Sequence, residues 1–283
     1  QYVSPWEFEQ LKQKIQTWDQ WCGEWCKAAR KHAEIGDKAV AEGHALTAGT
    51  AYIRAALYYH WASFLFVHDQ KQWRAAMEAM DECWRKAAPR VEPPMELMEI
   101  PFDGVSLPGY FRKPAGVAKA PLVILVPGGD STKEELYDFG EHILRRGMAI
   151  FAFDGPGQGL VSTKRKLRPD FEVPIRAVID HILKRGDVDG KRLAIGGISY
   201  GGLFACRAAA FDDRFKAVFS ASSWYTPAGR FPGMDPLSQT GLRQYMGEDA
   251  QGVQDSITMA GAAEHLKVPL LQVYGGLDKA SPP

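Results

Sequence analysis

What the sequence lacks narrows its function first. The 34 Lys and Arg residues balance 34 Asp and Glu, so the formal net charge is zero. No surplus of either sign points to nucleic acid or an anionic membrane as a partner. No stretch approaches the roughly 20 consecutive apolar residues that cross a bilayer, and no basic-then-apolar leader opens the chain. A cytoplasmic protein with a small-molecule partner is expected. Cysteine is scarce: Cys22, Cys26, Cys83 and Cys206 are too few and too scattered for a disulfide framework in 283 residues. Cys22 and Cys26, four apart, share one face of a helix. His32 is available beside them, but no zinc-type spacing follows, so reduced structural thiols are expected, with no metal and no cofactor. The chain opens on Gln1 rather than methionine, which leaves room for a preceding segment.

What is present divides near residue 94. The length suggests about two domains, or one large core with an appendage. Residues 1–94 read as helices. Ser4, Pro5 and Glu7 form a capping-box pattern that starts the first, and helical runs at 28–42, 46–67 and 72–88 follow, ended by polar breaks and Pro93-Pro94. Seven of the eight tryptophans lie here. They glue a helical layer together, or some of them, with Tyr58, Tyr59 and His60, line an aromatic substrate pocket. His60 and His68, eight apart on one expected helix, are the histidine pair that falls on a common face.

From Met98 the period becomes strand-like. Runs at 96–100 and 105–112 flank Asp103-Gly104 and read as a hairpin. The apolar run 122–126 is of the kind that fills the centre of a parallel sheet. It ends in Pro127-Gly128-Gly129-Asp130, after which Ser131 is expected to cap a helix through Arg146. A second central strand, 148–153, ends in Asp154-Gly155-Pro156-Gly157-Gln158-Gly159, and a helix follows at about 171–184. Alternating strands and helices imply a mostly parallel sheet with helices on both faces. After a strand at 215–220, the Pro-, Gly- and aromatic-rich segment 222–252 stands where a lid would sit. Helical signals resume at 254–266, and the strand 269–274 leads into Gly275-Gly276-Leu277-Asp278.

The organising stretch is 192–202. An apolar run enters Gly196-Gly197-Ile198-Ser199-Tyr200-Gly201-Gly202 and a helical run leaves it. Glycines two before and two after Ser199 fit a nucleophile elbow, whose backbone is too tight for side chains. The alternative is an ordinary strand-to-helix turn. A serine nucleophile needs a base, a group that orients the base, and oxyanion donors. Asp278, downstream at a strand end, is the candidate acid. The Tyr200 N–H and Gly129 are the candidate oxyanion donors. Asp278 could instead cap a turn, and Pro127-Gly128-Gly129 could be a plain connection. Their joint placement at C-terminal ends of parallel strands favours the catalytic reading. No histidine follows Asp278, and His265 precedes it. Because loss of the base costs on the order of 10⁶ in turnover, about 8 kcal/mol, the catalytic histidine, with a last strand and helix, is expected beyond Pro283.

These motifs carry a resemblance. Pro127 through Glu135, Phe153 through Gly159, the Ser199 elbow and Tyr58-Tyr59-His60 resemble the α/β-hydrolases. The closer likeness is to the 2,6-dihydroxypseudooxynicotine hydrolase group, which is similar to fungal polyketide-shortening hydrolases and the fermentation-respiration switch esterases. The resemblance implies an α/β-hydrolase domain at 95–283, a helical cap at 1–94 covering the active site, and often a homodimer. It implies a Ser-Asp-His serine hydrolase that cleaves a carbon-carbon bond next to a ketone, or an ester. Asp130, Tyr59, His60, Trp224 and Tyr225 are the candidate pocket residues. A carboxylesterase and a catalytically silent binding protein of the same fold are the alternatives.

Overall fold

The computed structural model describes residues 3–278. It divides into two compact units, with the division between Leu97 and Met98.

The first unit is helical: α1 (Pro5–Lys14), α2 (Trp21–Ala41), α3 (Ala45–Ser63) and α4 (Gln70–Ala87). Ser4 caps α1 through its side chain, which accepts the Glu7 N–H at 3.4 Å, and Pro5 occupies the first turn. The other half of the expected capping box does not form. The Ser4 N–H donates to the Tyr58 hydroxyl at 3.2 Å. The Glu7 carboxylate turns inward, accepting from Tyr58 at 2.6 Å and meeting His32 Nε2 at 3.1 Å. Tertiary partners outbid the local cap.

Trp25, Trp73 and Trp84 are fully buried. Trp25 meets Tyr58 edge-on at 5.4 Å and Trp18 stacks on Trp21 at 5.1 Å between ring centroids. These rings hold the helical layer together. The helix starting at 46 ends at Ser63 rather than Val67, because Leu65 takes φ 55, a region that a helix does not use. His60 and His68 therefore do not share a helix. His60 is buried against Trp61 and Phe64, and His68 pairs with Asp19 at 3.1 Å. Cys22 and Cys26 do share a face of α2, with sulfurs 3.9 Å apart and both thiols free.

The second unit is built on a seven-stranded sheet, formed by β1 (Glu96–Phe102), β2 (Val105–Arg112), β3 (Ala120–Val126), β4 (Ala149–Phe153), β5 (Val188–Ile198), β6 (Phe215–Ala221) and β7 (Leu270–Val273). The spatial order is β1-β2-β4-β3-β5-β6-β7. The β1-β2 hairpin turns on Asp103 and Gly104, both at positive φ, as a two-residue primed turn demands. Strand β2 runs antiparallel to β4, and from β4 to β7 every pairing is parallel. Between the strands lie α5 (Tyr137–Leu144), α6 (Glu172–Ile182), α7 (Tyr200–Phe211), α8 (Pro236–Met246) and α9 (Ala250–Ser256). The chain steps one way from β3 to β4 and the other way from β4 to β5 to β6. Right-handed crossovers therefore put α5 on one face and α6 and α7 on the other.

Two local expectations, the Ser131 cap and the helix at 254–266, are corrected. Ser131 does not cap a helix, since α5 begins only at Tyr137. Lys133 is drawn inward, its backbone N–H donating to Asp154 at 2.7 Å, and 132–137 close as successive four-residue turns. The segment 222–252 contains α8, which Asp235 caps by accepting the Ser238 N–H and Pro236 opens. The helical signal at 254–266 resolves into the end of α9 and one short 3-10 turn, Ala263–His265.

Candidate active site

Strand β5 ends at Ile198 and α7 begins at Tyr200, so Ser199 alone makes the reversal between them. Its backbone lies at φ 57, ψ −127, a region that costs a residue with a Cβ about 1–3 kcal/mol. Hydrogen bonds hold it there. The Ser199 N–H donates to the Ala221 carbonyl at 2.9 Å, and its own carbonyl accepts from Gly202 at 3.0 Å.

The flanking glycines are needed for space. A Cβ on Gly201 would lie 2.1 Å from the Val126 carbonyl oxygen and 2.5 Å from that of Pro127; one on Gly197 would lie 2.4 Å from the Gly201 carbonyl carbon. The elbow is thus pressed against the end of β3, whose Val126 pairs with Gly197. On the other side of the serine, a Cβ on Gly128 would sit 3.4 Å from the Ser199 Cβ, and one on Gly129 would sit 3.0 Å from the Tyr200 ring. Ser199, Gly128, Gly129 and Tyr200 therefore form one cluster. The Tyr200 N–H is in the first turn of α7, where helix geometry provides no intrahelical acceptor and the helix dipole favours negative charge.

The 127–130 loop is fixed from behind by a residue the sequence reading did not single out. Gln158, fully buried, donates from Nε2 to the Pro127 carbonyl at 2.7 Å and to the Gly128 carbonyl at 3.1 Å. Its Oε1 accepts the Gly155 N–H at 2.8 Å. The signal was an amide side chain set among glycines just after an apolar strand, where no solvent reaches it.

A second missed contact joins the same two motifs. Lys133 Nζ lies 2.9 Å from Asp154 Oδ2 and 2.6 Å from Glu134 Oε1, and all three residues are buried. Burial lifts the Asp154 carboxyl to about 6, against the opposing pull of Lys133. Burial disfavours the Lys133 charge too, but Asp154 and Glu134 outweigh it and hold the ammonium well above its ordinary value.

The strand that leads to Asp278 ends at the same edge of the sheet. Ile198 pairs with Ala221 and Ala221 with Val273, so the ends of β5, β6 and β7 are level. Asp278 follows β7 by five residues, half-buried, its N–H donating to Gly275 at 3.0 Å. Asp130 ends the loop, and its Oδ1 lies 3.6 Å from the place of a Gly128 Cβ. Burial, with Asp130's charge adding, pushes the Tyr200 hydroxyl up to about 12. That hydroxyl accepts from the buried Gln254 of α9. The Trp224 ring packs 5.1 Å from that of Tyr200. Trp224 and Tyr225 both line a cavity of about 530 Å³ with Cys206, Ser220, Arg230 and Met259. Tyr59 and His60 belong to the helical unit and are buried in it.

The seven histidines have other surroundings. His32, His44 and His68 meet Glu7, Glu42 and Asp19. His60 packs on Trp61 and His265 on Phe211, while His142 and His181 lie in the last turns of α5 and α6.

A family model described as "Esterase FrsA-like" matches residues 17–224. The chain belongs to the FrsA-like esterase family. This FrsA-like chain is 36% identical over 200 residues to a "2,6-dihydropseudooxynicotine hydrolase" of Paenarthrobacter nicotinovorans, a match covering 71% of this chain and 54% of that protein. It is 38% identical over 216 residues to a "20-hydroxy-prefusarin hydrolase" of Gibberella moniliformis, covering 71% and 51%. The crystal structure of a 2,6-dihydroxy-pseudo-oxynicotine hydrolase superposes with a TM-score of 0.86 at 28% identity, covering 95% of this chain and 77% of that one. The sheet unit of the FrsA-like chain has the α/β-hydrolase fold. The chain spans about half the length of the curated relatives it matches. No described helix is long and apolar enough to cross a membrane.

Proposed function

We propose that this chain carries the nucleophile, oxyanion donors and acid of a serine hydrolase that cleaves a carbon-carbon bond next to a ketone. Its substrate would be a small aromatic or polyketide-like β-diketone or aryl ketone. The observation that carries the reading is the backbone of Ser199, held at φ 57 between β5 and α7 and facing Gly128. A serine in a strained conformation that many contacts enforce is what an exposed nucleophile requires.

In this reading the Ser199 Oγ adds to the ketone carbon. The oxygen of the resulting tetrahedral adduct is met by the N–H groups of Tyr200 and Gly129. Collapse breaks the carbon-carbon bond, and its electron pair leaves with an enolate or ring carbanion. A histidine, oriented by Asp278 and not assigned to a residue of this chain, takes the serine proton and delivers it to that carbon. Water then releases the acyl group from Ser199. Asp130, Trp224 and Tyr225 are proposed to contact the substrate. A homodimer in the cytoplasm is the proposed working form.

The likeness to the 2,6-dihydropseudooxynicotine hydrolase supports this reading. The family description supports a second, a carboxylesterase using the same residues. Mass spectrometry of the products of paired aryl β-diketone and ester probes separates them. An acid plus a carbon-protonated fragment supports the first. Turnover of the ester alone, to acid and alcohol, replaces it with the second. Both require that Ser199→Ala abolish turnover.

A further inference from the structure

The amide of Gln158 holds three backbone groups at once, and two of them belong to the loop that faces Ser199. A planar trans peptide points its C=O and the following N–H to opposite sides. The Pro127-Gly128 and Gly128-Gly129 peptides both turn their oxygens to Gln158 Nε2, and the one cis bond among the described residues is Glu92-Pro93. The N–H groups of Gly128 and Gly129 must therefore point away from Gln158. Gly128 lies directly against the serine, the place of its Cβ being 3.4 Å from the Ser199 Cβ.

Two adjacent carbonyls facing one way is an arrangement in which their dipoles repel, and without a shared donor either peptide could rotate. Gln158 supplies both hydrogens of one NH₂ group to the two oxygens. Its Oε1 is anchored by the Gly155 N–H, which fixes the direction of the amide. The carrier segment is itself clamped: Asp154 is tied to Lys133 by two contacts. Gly157 stands at φ 82 with the place of its Cβ 2.5 Å from the Leu167 N, so no other residue fits there without strain.

We propose that Gln158 is a positioning residue for the oxyanion site, orienting the Gly128 and Gly129 N–H groups toward Ser199 without touching substrate. The inference rests on the serine-hydrolase reading above. An oxyanion donor counts only if it is aimed before charge develops, and removing one costs about 10²–10³-fold in turnover. Gln158 acts through the loop, so its loss falls on kcat, with KM kept.

The test is the second-order rate at which a fluorophosphonate labels Ser199 in the full-length protein, since the phosphonyl oxygen uses the same donors. Steady-state kinetics with p-nitrophenyl acetate and a thermal melt accompany it. Gln158→Met keeps the side-chain length and removes both donors. The labelling rate and kcat are expected to fall about 10²-fold, with KM within threefold and a cooperative melt retained. Gln158→Glu keeps the anchor to Gly155 and is the second variant should Gln158→Met fail to fold. Its carboxylate has no hydrogen for the two carbonyls, but its acid form has one. Its rate relative to wild type is expected to climb as pH falls from 8 to 5. A folded variant labelled within threefold of wild type, or a Gln158→Glu ratio flat with pH, overturns the inference. A wild-type protein that takes no label overturns the serine-hydrolase reading itself, a separate result from either.

Discussion

The place of a Cβ on Gly201 is 2.1 Å from the carbonyl oxygen of Val126. No side-chain rearrangement relieves that approach, because both partners are backbone. The tightness of the elbow and the position of the β3 end are thus one constraint: the 127–130 loop that faces Ser199 starts immediately after Val126. Gly201→Ala should push α7 and β3 apart. A loss of at least 1–3 kcal/mol, the range for overpacking a close-packed site, is expected in urea unfolding, together with a fall of about 10²-fold or more in Ser199 labelling. An alanine variant as stable and as reactive as wild type would show that the elbow is looser than described.

Lys133 is the cation between two buried carboxylates, Asp154 and Glu134. Lys133→Met fills the same volume and strands both. Removing one partner of a buried pair costs about 3–5 kcal/mol, because the other is left uncompensated. The expected result is a drop of that size in unfolding free energy at pH 7, and a difference below 1 kcal/mol would contradict the assignment.

Asp154 also sets a pH dependence. Its carboxyl is raised from 3.8 to about 6 on folding, so between those values the folded chain holds a proton that the unfolded chain releases. The contribution to stability is complete below about pH 4 and is lost as pH rises through about 6. A change of that size corresponds to roughly 3 kcal/mol at most. Unfolding free energies of wild type and Asp154→Asn, compared from pH 4 to 7.5, should show wild type losing ground relative to the variant as pH rises. A difference that stays constant or grows in favour of wild type rules this out.

Much of this was legible in the sequence where the signal is local. The Asp103-Gly104 hairpin, the apolar run of β3 and the Ser199 elbow follow from neighbours within a few positions, and glycine marks each. What was not legible depends on partners far along the chain. Ser131 looks like a helix cap until Lys133, two residues on, is taken by Asp154, 21 positions away. Gln158 reads as one polar residue in a glycine loop, and its partners Pro127 and Gly128 lie 31 and 30 positions back. Helix α8 was hidden among proline and glycine, although Asp235-Pro236 at its start is itself a cap signal. At α1 the distant partner won outright, since Glu7 left its capping position for Tyr58 and His32.

The central claim is that Ser199 becomes covalently acylated. Rapid-quench mass spectrometry of the full-length protein mixed with p-nitrophenyl acetate tests it directly. An acetyl group should appear on the peptide carrying Ser199 within the first turnover and decay with product release, and Ser199→Ala should show neither adduct nor turnover. Hydrolysis that persists in Ser199→Ala, or an adduct on another residue, would contradict the account.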